Sequence, residues 1–165
     1  MPGSGVGENP VMESCLACDL ADEKRPLPGG RIHETTHWLV EHCVGPLGLG
    51  TLIVKPRRHV TSVADLTDAE AAELGPLLRT SSVVASELVP AEQIYNCLWS
   101  HAGGAPVHIH YVVQPVTADL MERHGSHGPV LQVAMFAEGD VPTDDRIEDV
   151  ARRARAAFDR SADSA

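Results

Sequence analysis

The sequence predicts an α+β domain: an antiparallel sheet of about five strands, crossed by one main helix and followed by a C-terminal helix. Three observations predict it. Apolar segments of strand length recur between connections rich in glycine and proline. A helix-capping motif at residues 67–70 opens a long amphipathic stretch. Residues 146–158 then form a polar segment with helical character.

The first half of the chain predicts three short strands. Residues 31–34 and 37–41 flank a Thr-Thr pair with apolar or alternating patterns, which is typical of a hairpin. Residues 45–50 are rich in turn-forming residues and lead into a third strand-like segment, residues 51–55. We expect that strand to stop at Pro56, because proline has no N–H to donate to a ladder.

The capping motif predicts the main helix. Thr67 is the N-cap and Glu70 lies at the third helical position, so their side chains are placed to satisfy N–H groups at the helix start. Pro76 lies inside the amphipathic stretch, and we expect it to kink the helix or to begin a new segment. The apolar residues that share one helical face are Leu74, Leu77, Leu78, Val84, Ala85 and Leu88.

The second half of the chain predicts a pair of strands, one further strand and a helix. Residues 93–99 and 107–115 are strand-like and are joined by a loop over residues 100–106. Residues 130–136 are predicted as an additional strand, after a loop rich in glycine and histidine. Residues 146–158 are predicted as a polar helix.

Length and charge restrict the class of protein. The 165 residues suit a single domain over residues 14–160, with the Gly-rich residues 1–13 predicted to be disordered. The formal net charge of −10 argues against broad binding to nucleic acid or to an anionic membrane, although a small anionic ligand needs only a local positive site. No apolar run approaches the ~20 residues of a membrane span, and residues 1–10 lack a basic segment followed by an apolar core. We therefore expect a cytoplasmic protein.

The four cysteines favour thiols or metal ligands over a disulfide framework in that compartment. Cys15 and Cys18 form a C-x-x-C motif, and two thiolates with two imidazoles make a closed, four-coordinate zinc site of the structural kind. If His59 and His108 are the nitrogen ligands, Zn²⁺ would clamp the N-terminal segment onto the sheet and contribute on the order of 10 kcal/mol to folding. The alternative is that the C-x-x-C motif is incidental or redox-active and that His59 is merely exposed.

Two histidines in the strand at residues 107–115 carry the main chemical signal. Because side chains alternate along a strand, His108 and His110 point to the same face, just beyond the Gly103-Gly104 turn. That turn either presents backbone N–H groups to phosphate oxygens or is simply a tight connection. A neutral His110 imidazole can attack phosphorus and form a covalent phosphoramidate, provided that a backbone carbonyl fixes its tautomer. The alternative is a hydrogen-bonded structural histidine.

Three segments of the chain together resemble the histidine triad (HIT) superfamily. The strand resembles its signature of alternating histidines, His-φ-His-φ-His-φ-φ, where φ is apolar. Residues 50–59 read Gly-Thr-Leu-Ile-Val-Lys-Pro-Arg-Arg-His and resemble the family segment G-H-x-L-V-I-P-K-x-H. The C-x-x-C motif followed by a hairpin is similar to the zinc-carrying members of the family. The three segments cover most of residues 15–115.

The resemblance implies a HIT-like fold and a role for each matching residue. His110 takes the place of the nucleophile that becomes nucleotidylated when it attacks the α-phosphate of the substrate. His108 takes the place of a metal ligand, together with Cys15, Cys18 and His59, and the ion held there is a structural Zn²⁺. Family members are commonly homodimers, and their usual substrates are dinucleoside polyphosphates and nucleoside phosphoramidates.

Departures from the family pattern fall at the rest of the site. Val112 stands at the third position of the triad and cannot donate a hydrogen bond to phosphate, whereas Gln114, two residues further on the same face, offers an amide in its place. Cys43 stands where the family has the Asp that holds the nucleotide ribose, and Pro106 stands where many members have Ser or Thr. Asn96 matches a family asparagine that contacts the nucleotide.

Three functions are consistent with these residues. The first is a HIT-like nucleotide phosphohydrolase or nucleotidyltransferase that works through a covalent His110–nucleotide intermediate, with phosphate held by Gly103, Gly104 and Gln114. The second keeps the fold and the zinc but is a non-catalytic module that binds a nucleotide or a protein partner. The third is a redox protein whose C-x-x-C motif exchanges disulfides, which predicts no zinc and a thiol of low pKa.

Overall fold

A sheet of five antiparallel strands organises the part of the chain that the computed structural model describes, residues 15–102 and 105–162. The strands lie in the order β1-β2-β3-β5-β4, so that β5 is flanked by β3 and β4. The predicted α+β class with about five antiparallel strands is confirmed. The strands are β1 (Arg31–Glu34), β2 (Trp38–His42), β3 (Leu52–Pro56), β4 (Gln93–Ala102) and β5 (Ala105–Val116).

Five α-helices accompany the sheet in the described residues. They are α1 (Leu16–Ala21), α2 (Asp68–Leu88), α3 (Ala118–His124), α4 (Pro129–Glu138) and α5 (Asp144–Ala162), with a 3₁₀ turn at Val63–Asp65. None of the helices within residues 15–102 and 105–162 is both long enough and apolar enough to cross a membrane. The prediction of disorder for residues 1–13 lies outside the described residues, and a single domain over residues 14–160 stays a prediction.

One face of the sheet packs against α2 and α5 and forms the main core. Trp38 is fully buried there, and its indole Nε1–H donates to the backbone carbonyl of Glu70 on α2 at 2.8 Å. Burying an indole with its single donor satisfied avoids the cost of an unpaired N–H. Other members of this core are Val40, Leu52, Val54 and Val113 from the sheet, Leu77, Val84 and Leu88 from α2, and Val150, Ala154 and Phe158 from α5.

The opposite face of the sheet carries His108 and His110, and we call it the histidine face. Towards the end of β5 this face is covered by α3 and α4, which follow that strand in the chain. A second apolar core therefore lies beneath α4. Its buried members are Cys43, Leu47, Val112, Val116, Leu131 and Met135.

Helix α2 begins where the capping motif predicts. The Thr67 side chain accepts from the N–H of Glu70, and the Glu70 carboxylate accepts from the N–H of Thr67, so both halves of the capping box are present. The expected break at Pro76 does not start a new segment, since residues 68–88 form one helix. Buried Leu77 and Val84 lie on the C-terminal side of the proline, and their packing on the sheet offsets the hydrogen bond that the ring removes.

Residues 130–136, predicted as a strand, lie in helix α4, and this prediction is wrong. Gly128 precedes the helix at φ 63°, Pro129 occupies its first turn, and Gly139 ends it at φ 71° in the left-handed region. These are the residues that helix ends prefer. Leu131 and Met135 are four residues apart and share the buried face. A short apolar run looks the same in a buried strand and a buried helix, so periodicity alone did not separate them.

The Glu70 carboxylate should make the free energy of unfolding depend on pH, and this can be tested. Arg58 and the backbone of Thr67 hold the pKa of its carboxyl, ordinarily 4.5, down to about 2. Its contribution is therefore fully present above pH 4.5 and is lost as the pH falls towards 2. We expect Glu70→Gln to cost about 1–2 kcal/mol at pH 7, because a half-exposed partner screens the charge, and to flatten the acid limb of stability. Urea unfolding between pH 7 and pH 3 measures both effects, and parallel curves for the two proteins would contradict the assignment.

Candidate functional site

The four predicted metal ligands meet at one end of the histidine face. One potential ligand atom from each of Cys15, Cys18, His59 and His108 lies within 4.8 Å of all the others. The Cys18 Sγ is 3.3 Å from the Nδ1 of His59 and 3.4 Å from the Nδ1 of His108. The Cys15 Sγ is 3.9 Å from the same His108 nitrogen. Residues up to 93 positions apart in the chain thus converge on a space of the size that one cation fills.

Local structure brings each ligand to this cluster. Cys15 is the N-cap residue of α1 and Cys18 lies in its first turn, so the three-residue spacing puts both thiols on one side. His59 follows β3 in a loop that is tied to β5 by the Ile109 N–H, which donates to the Val60 carbonyl at 2.8 Å. That bond lays the loop beside His108. The His59 and His108 rings are 5.2 Å apart and meet edge to face.

The His108 ring is oriented as a metal ligand requires. Its Nε2–H donates to the carbonyl of Pro56 at 2.8 Å, and a carbonyl only accepts, so the tautomer leaves the lone pair on Nδ1, facing the thiols. Burial lowers the pKa of His108 to about 4, so the imidazole is neutral at pH 7 and free to bind a cation. Two thiolates and two imidazoles match the four-coordinate preference of Zn²⁺. The cluster therefore fits this ion.

The thiols do not have the character that the redox hypothesis requires. Without a bound cation, burial and the neighbouring Cys15 raise the pKa of Cys18 to about 11. A thiol that exchanges disulfides rapidly needs a depressed pKa, because the thiolate is the nucleophile. A coordinated divalent cation would deprotonate the thiol outright. The local electrostatics therefore favour a metal site over a redox-active pair.

His110 lies next to this cluster on the histidine face, half-buried. Its Nδ1–H donates to the backbone carbonyl of His108 at 3.1 Å, so the lone pair is on Nε2. Burial lowers its pKa from the ordinary 6.5, which keeps the imidazole neutral at pH 7. On the adjacent strand Trp99 pairs with His110, and the two ring centroids are 6.4 Å apart. A neutral imidazole with one nitrogen fixed and the other unprotonated is a nucleophile or a general base.

A buried ion pair beside the histidines was not predicted from the sequence. The Lys55 Nζ donates to the Glu41 Oε1 at 2.7 Å, with side-chain exposures of 1% and 7%. The lysine charge contributes to lowering the pKa of both His108 and His110. A sequence signal existed, because Lys55 interrupts the apolar strand β3 and Glu41 interrupts β2. Opposite charges on neighbouring strands are expected to pair.

Removing one partner of this pair should be strongly destabilising. We expect Lys55→Met to cost about 3–5 kcal/mol, because it leaves Glu41 buried without a counter-charge. Burial already raises the pKa of Glu41, so the variant should lose stability as the pH rises and the carboxyl must ionise. The double variant Glu41→Gln/Lys55→Met should recover most of the loss. Urea unfolding at pH 5 and pH 8 tests this, and a single variant as stable as the double would contradict it.

The structure does not bring Asn96 to the histidines. On β4 it pairs with Val113, whereas Trp99 pairs with His110, and an odd separation along a strand places residues on opposite faces. The Asn96 Nδ2 instead donates to the Ser82 Oγ of α2 at 3.1 Å. The expected nucleotide contact is therefore not supported. The predicted phosphate contacts at Gly103 and Gly104 lie outside the described residues.

Gln114 lies on the histidine face, as predicted, but its amide is already engaged. It is fully buried, its Nε2 donates to the Leu47 carbonyl at 3.0 Å and lies 3.1 Å from the Met135 Sδ, and its Oε1 accepts from Gln132 at 3.0 Å. No donor remains for a phosphate. Val112 is also buried. Both residues are covered because α4 packs over this end of β5.

Comparison with known proteins places the fold. No family model matches the sequence. A zinc-bound histidine triad family protein from Mycobacterium smegmatis is 20% identical, with a TM-score of 0.65 over 92% of this chain and 98% of that one. A hypothetical histidine triad nucleotide-binding protein from Sulfolobus tokodaii is 16% identical, with a TM-score of 0.67 over 88% and 93%. Diadenosine triphosphate hydrolase from Plasmodium falciparum is 13% identical, with a TM-score of 0.58 over 79% and 76%. The chain thus has a HIT-like fold.

Proposed function

We propose that this protein is a HIT-type nucleotide phosphohydrolase or nucleotidyltransferase that acts through a covalent His110–nucleotide intermediate. The observation that carries the proposal is the tautomer of His110. Its Nδ1–H donates to the His108 carbonyl, which leaves Nε2 unprotonated on a half-buried ring of the histidine face. The HIT-like fold, found in a nucleotide-binding protein and in a diadenosine triphosphate hydrolase, supports a nucleotide as the substrate.

The reaction would take two displacements. The Nε2 lone pair of His110 attacks the α-phosphorus, the bond from phosphorus to the leaving group breaks, and a phosphorus–nitrogen bond forms. Water or a second acceptor then attacks the same phosphorus and gives up its proton, which the departed leaving group or solvent takes. The phosphorus–nitrogen bond breaks, its electron pair returns to Nε2, and the neutral imidazole is restored. Throughout both steps Nδ1–H stays on the His108 carbonyl, which stabilises the ring when it carries positive charge.

Zinc would be structural in this protein, bound by Cys15, Cys18, His59 and His108. When bound, it would supply a closed four-coordinate crosslink with no open position for a substrate. The crosslink would fix α1 and the loop around His59 to β5. Because the backbone carbonyl of His108 also holds the His110 ring, the metal site and the nucleophile would be mechanically linked.

The test is to trap the intermediate. Purified protein is incubated with dinucleoside polyphosphates and nucleoside phosphoramidates that are labelled at the α-phosphate. We expect turnover of at least one compound and a protein-bound label that is lost in acid, as a histidine phosphoramidate would be. Turnover without any protein-bound label in a rapid quench would rule out the covalent route.

A second candidate is a non-catalytic, zinc-stabilised module that binds a nucleotide or a protein partner. It is favoured by the positions that follow His110 on its face. Val112 is apolar and fully buried, and the Gln114 amide has no donor left for phosphate. Saturable nucleotide binding with no turnover of any compound in the panel would select this candidate.

Location, oligomeric state and partners are also proposals. The described cysteines are all free thiols, which suits a reducing compartment, and we propose a cytoplasmic location. We also propose a homodimer, as is common among histidine triad proteins. For the enzyme the partner is a nucleotide or another small phosphate compound, and the net charge of −10 argues against nucleic acid and membrane surfaces.

A further inference from the structure

Trp99 lies beside His110 and Phe136 lies beside Trp99, and neither aromatic side chain has a role in the proposed chemistry. The Trp99 ring lies 6.4 Å from the His110 ring, at an interplanar angle of 37°. Trp99 also contacts Phe136 of α4: the two ring centroids are 5.3 Å apart and the ring planes are tilted by 46°. We call this pair the aromatic shelf. Its outer member, Phe136, is exposed, and its inner member, Trp99, contacts His110.

The shelf is held in place by a chain of buried amides. The Trp99 Nε1–H donates to the Gln132 Oε1 at 3.2 Å, and the Gln132 Nε2 donates to the Gln114 Oε1 at 3.0 Å. Gln114 in turn donates to the Leu47 carbonyl at 3.0 Å. Both glutamines are buried, so each bond replaces one that water would otherwise supply. The indole orientation is therefore fixed before any ligand arrives.

The exposure of the shelf is not explained by packing. Phe136 is 52% exposed, although Leu131 and Met135 of the same helix are buried. Trp99 is only half-buried. Large aromatic side chains lose favourable burial when they face water, and they are suited to stacking on a planar ring. Val130 and Val133 of the same helix are also exposed, at 64% and 67%, but Phe136 is the aromatic residue of the three and its ring contacts Trp99, which lies beside His110.

We propose that the aromatic shelf binds a planar ring of the substrate and that Trp99 and Phe136 are specificity-determining residues. This inference rests on the proposed function, because the ring must belong to a compound whose phosphorus reaches His110. Neighbouring strands are about 5 Å apart, so the shelf lies one strand spacing from the nucleophile, a separation that a sugar or a short linker spans. The ring is either the nucleobase or an aromatic leaving group.

Equilibrium binding distinguishes the two sources of the ring. One pair of probes is AMP and ribose 5-phosphate, which differ by the nucleobase; the other is phenyl phosphate and inorganic phosphate, which differ by a ring on the leaving-group side. We expect the ring-bearing member of one pair to bind roughly 5- to 150-fold more tightly than its partner, the range of base–aromatic stacking. That ligand should also quench Trp99 fluorescence, whereas Trp38 is buried on the opposite face and serves as an internal reference.

Three variants assign the effect to the shelf. Phe136→Ala should remove most of the preference for the ring-bearing ligand, and Phe136→Leu should keep part of it through apolar contact alone. Val130→Ala is the control, because Val130 is 64% exposed nearly two turns away on the same helix, and it should change nothing. In turnover, Phe136→Ala should raise KM for ring-bearing substrates far more than it lowers kcat.

The outcomes separate this inference from the proposed function. Equal affinities within both pairs, or a preference that survives Phe136→Ala, would overturn the shelf and leave the proposal for His110 standing. A preference for ring-bearing ligands in a protein that shows no turnover would support ring binding by the aromatic shelf and would contradict the role of His110 as a nucleophile. If Phe136→Ala proves unstable, the fluorescence of Trp99 in the wild-type protein still decides, because an unquenched signal at saturating ligand contradicts stacking.

Discussion

Replacing Cys18 by Ser is expected to abolish stoichiometric zinc binding and to lower the free energy of unfolding by several kcal/mol. Its Sγ lies close to the Nδ1 atoms of both His59 and His108, at 3.3 Å and 3.4 Å, so its loss opens the centre of the cluster. Structural zinc sites contribute on the order of 10 kcal/mol, and a three-ligand remainder retains only part of that. Metal analysis of the purified protein and urea unfolding with and without a chelator measure the two effects.

The matched control for this experiment is Cys97→Ser. Cys97 is a half-buried free thiol on β4 and is not part of the cluster. We expect this variant to keep one zinc per chain and to change stability by about 1 kcal/mol or less, because serine is close to cysteine in size and can keep the hydrogen bond with Gln132. A Cys18→Ser protein with full zinc content, or a wild-type protein that a chelator does not destabilise, would refute the metal site.

Replacing His110 by Ala should reduce turnover by at least about 10³-fold, the size of effect seen when a covalent nucleophile is removed. The protein-bound label should disappear at the same time, because no nitrogen remains to form the phosphoramidate. The fold should survive, since His110 is only half-buried and its one described hydrogen bond is to the His108 backbone. His127→Ala, an exposed imidazole between α3 and α4, is the control and should leave turnover unchanged.

The pH profile gives His110 a second, independent signature. Attack requires the neutral imidazole, and burial lowers the pKa of His110 below the ordinary 6.5. The acid limb of activity should therefore be centred below pH 6.5, where Nε2 becomes protonated. The pH dependence of kcat/KM measures this limb. If the acid limb of kcat/KM were centred above pH 6.5, a group other than His110 would control the rate.

Local sequence signals were sufficient to orient the two thiols and the two histidines of β5, whereas the meeting of His59 with them depended on the folded chain. The spacing of Cys15 and Cys18 equals about one helical turn, and the spacing of His108 and His110 equals the period of a strand. Each pair is therefore oriented by its own backbone, whatever the rest of the fold does. The capping box at Thr67 and Glu70 is local in the same sense. These predictions needed only that helix and strand form where the pattern indicates.

Three further features depended on contacts between distant segments. Residues 130–136 form a helix whose Leu131 and Met135 pack on the histidine face, although the flanking Gly128 and Gly139 were a local signal for its ends. That packing also engaged Gln114 and left it no donor for phosphate. Asn96 faces α2 because the register between β4 and β5 places it there.

The sequence by itself determined which groups are available at the site, two thiols and three imidazoles, and that His108 and His110 share one face of a strand. The tautomer of His110 is assigned by the hydrogen bond that its ring makes in the folded chain. Only the tertiary structure decided what surrounds that chemistry, namely the buried Lys55–Glu41 pair, the cover formed by α4 and the aromatic shelf of Trp99 and Phe136. The physical reason is range. Backbone periodicity orients residues two to four positions apart, whereas burial and cross-strand pairing depend on segments that meet only when the chain is folded.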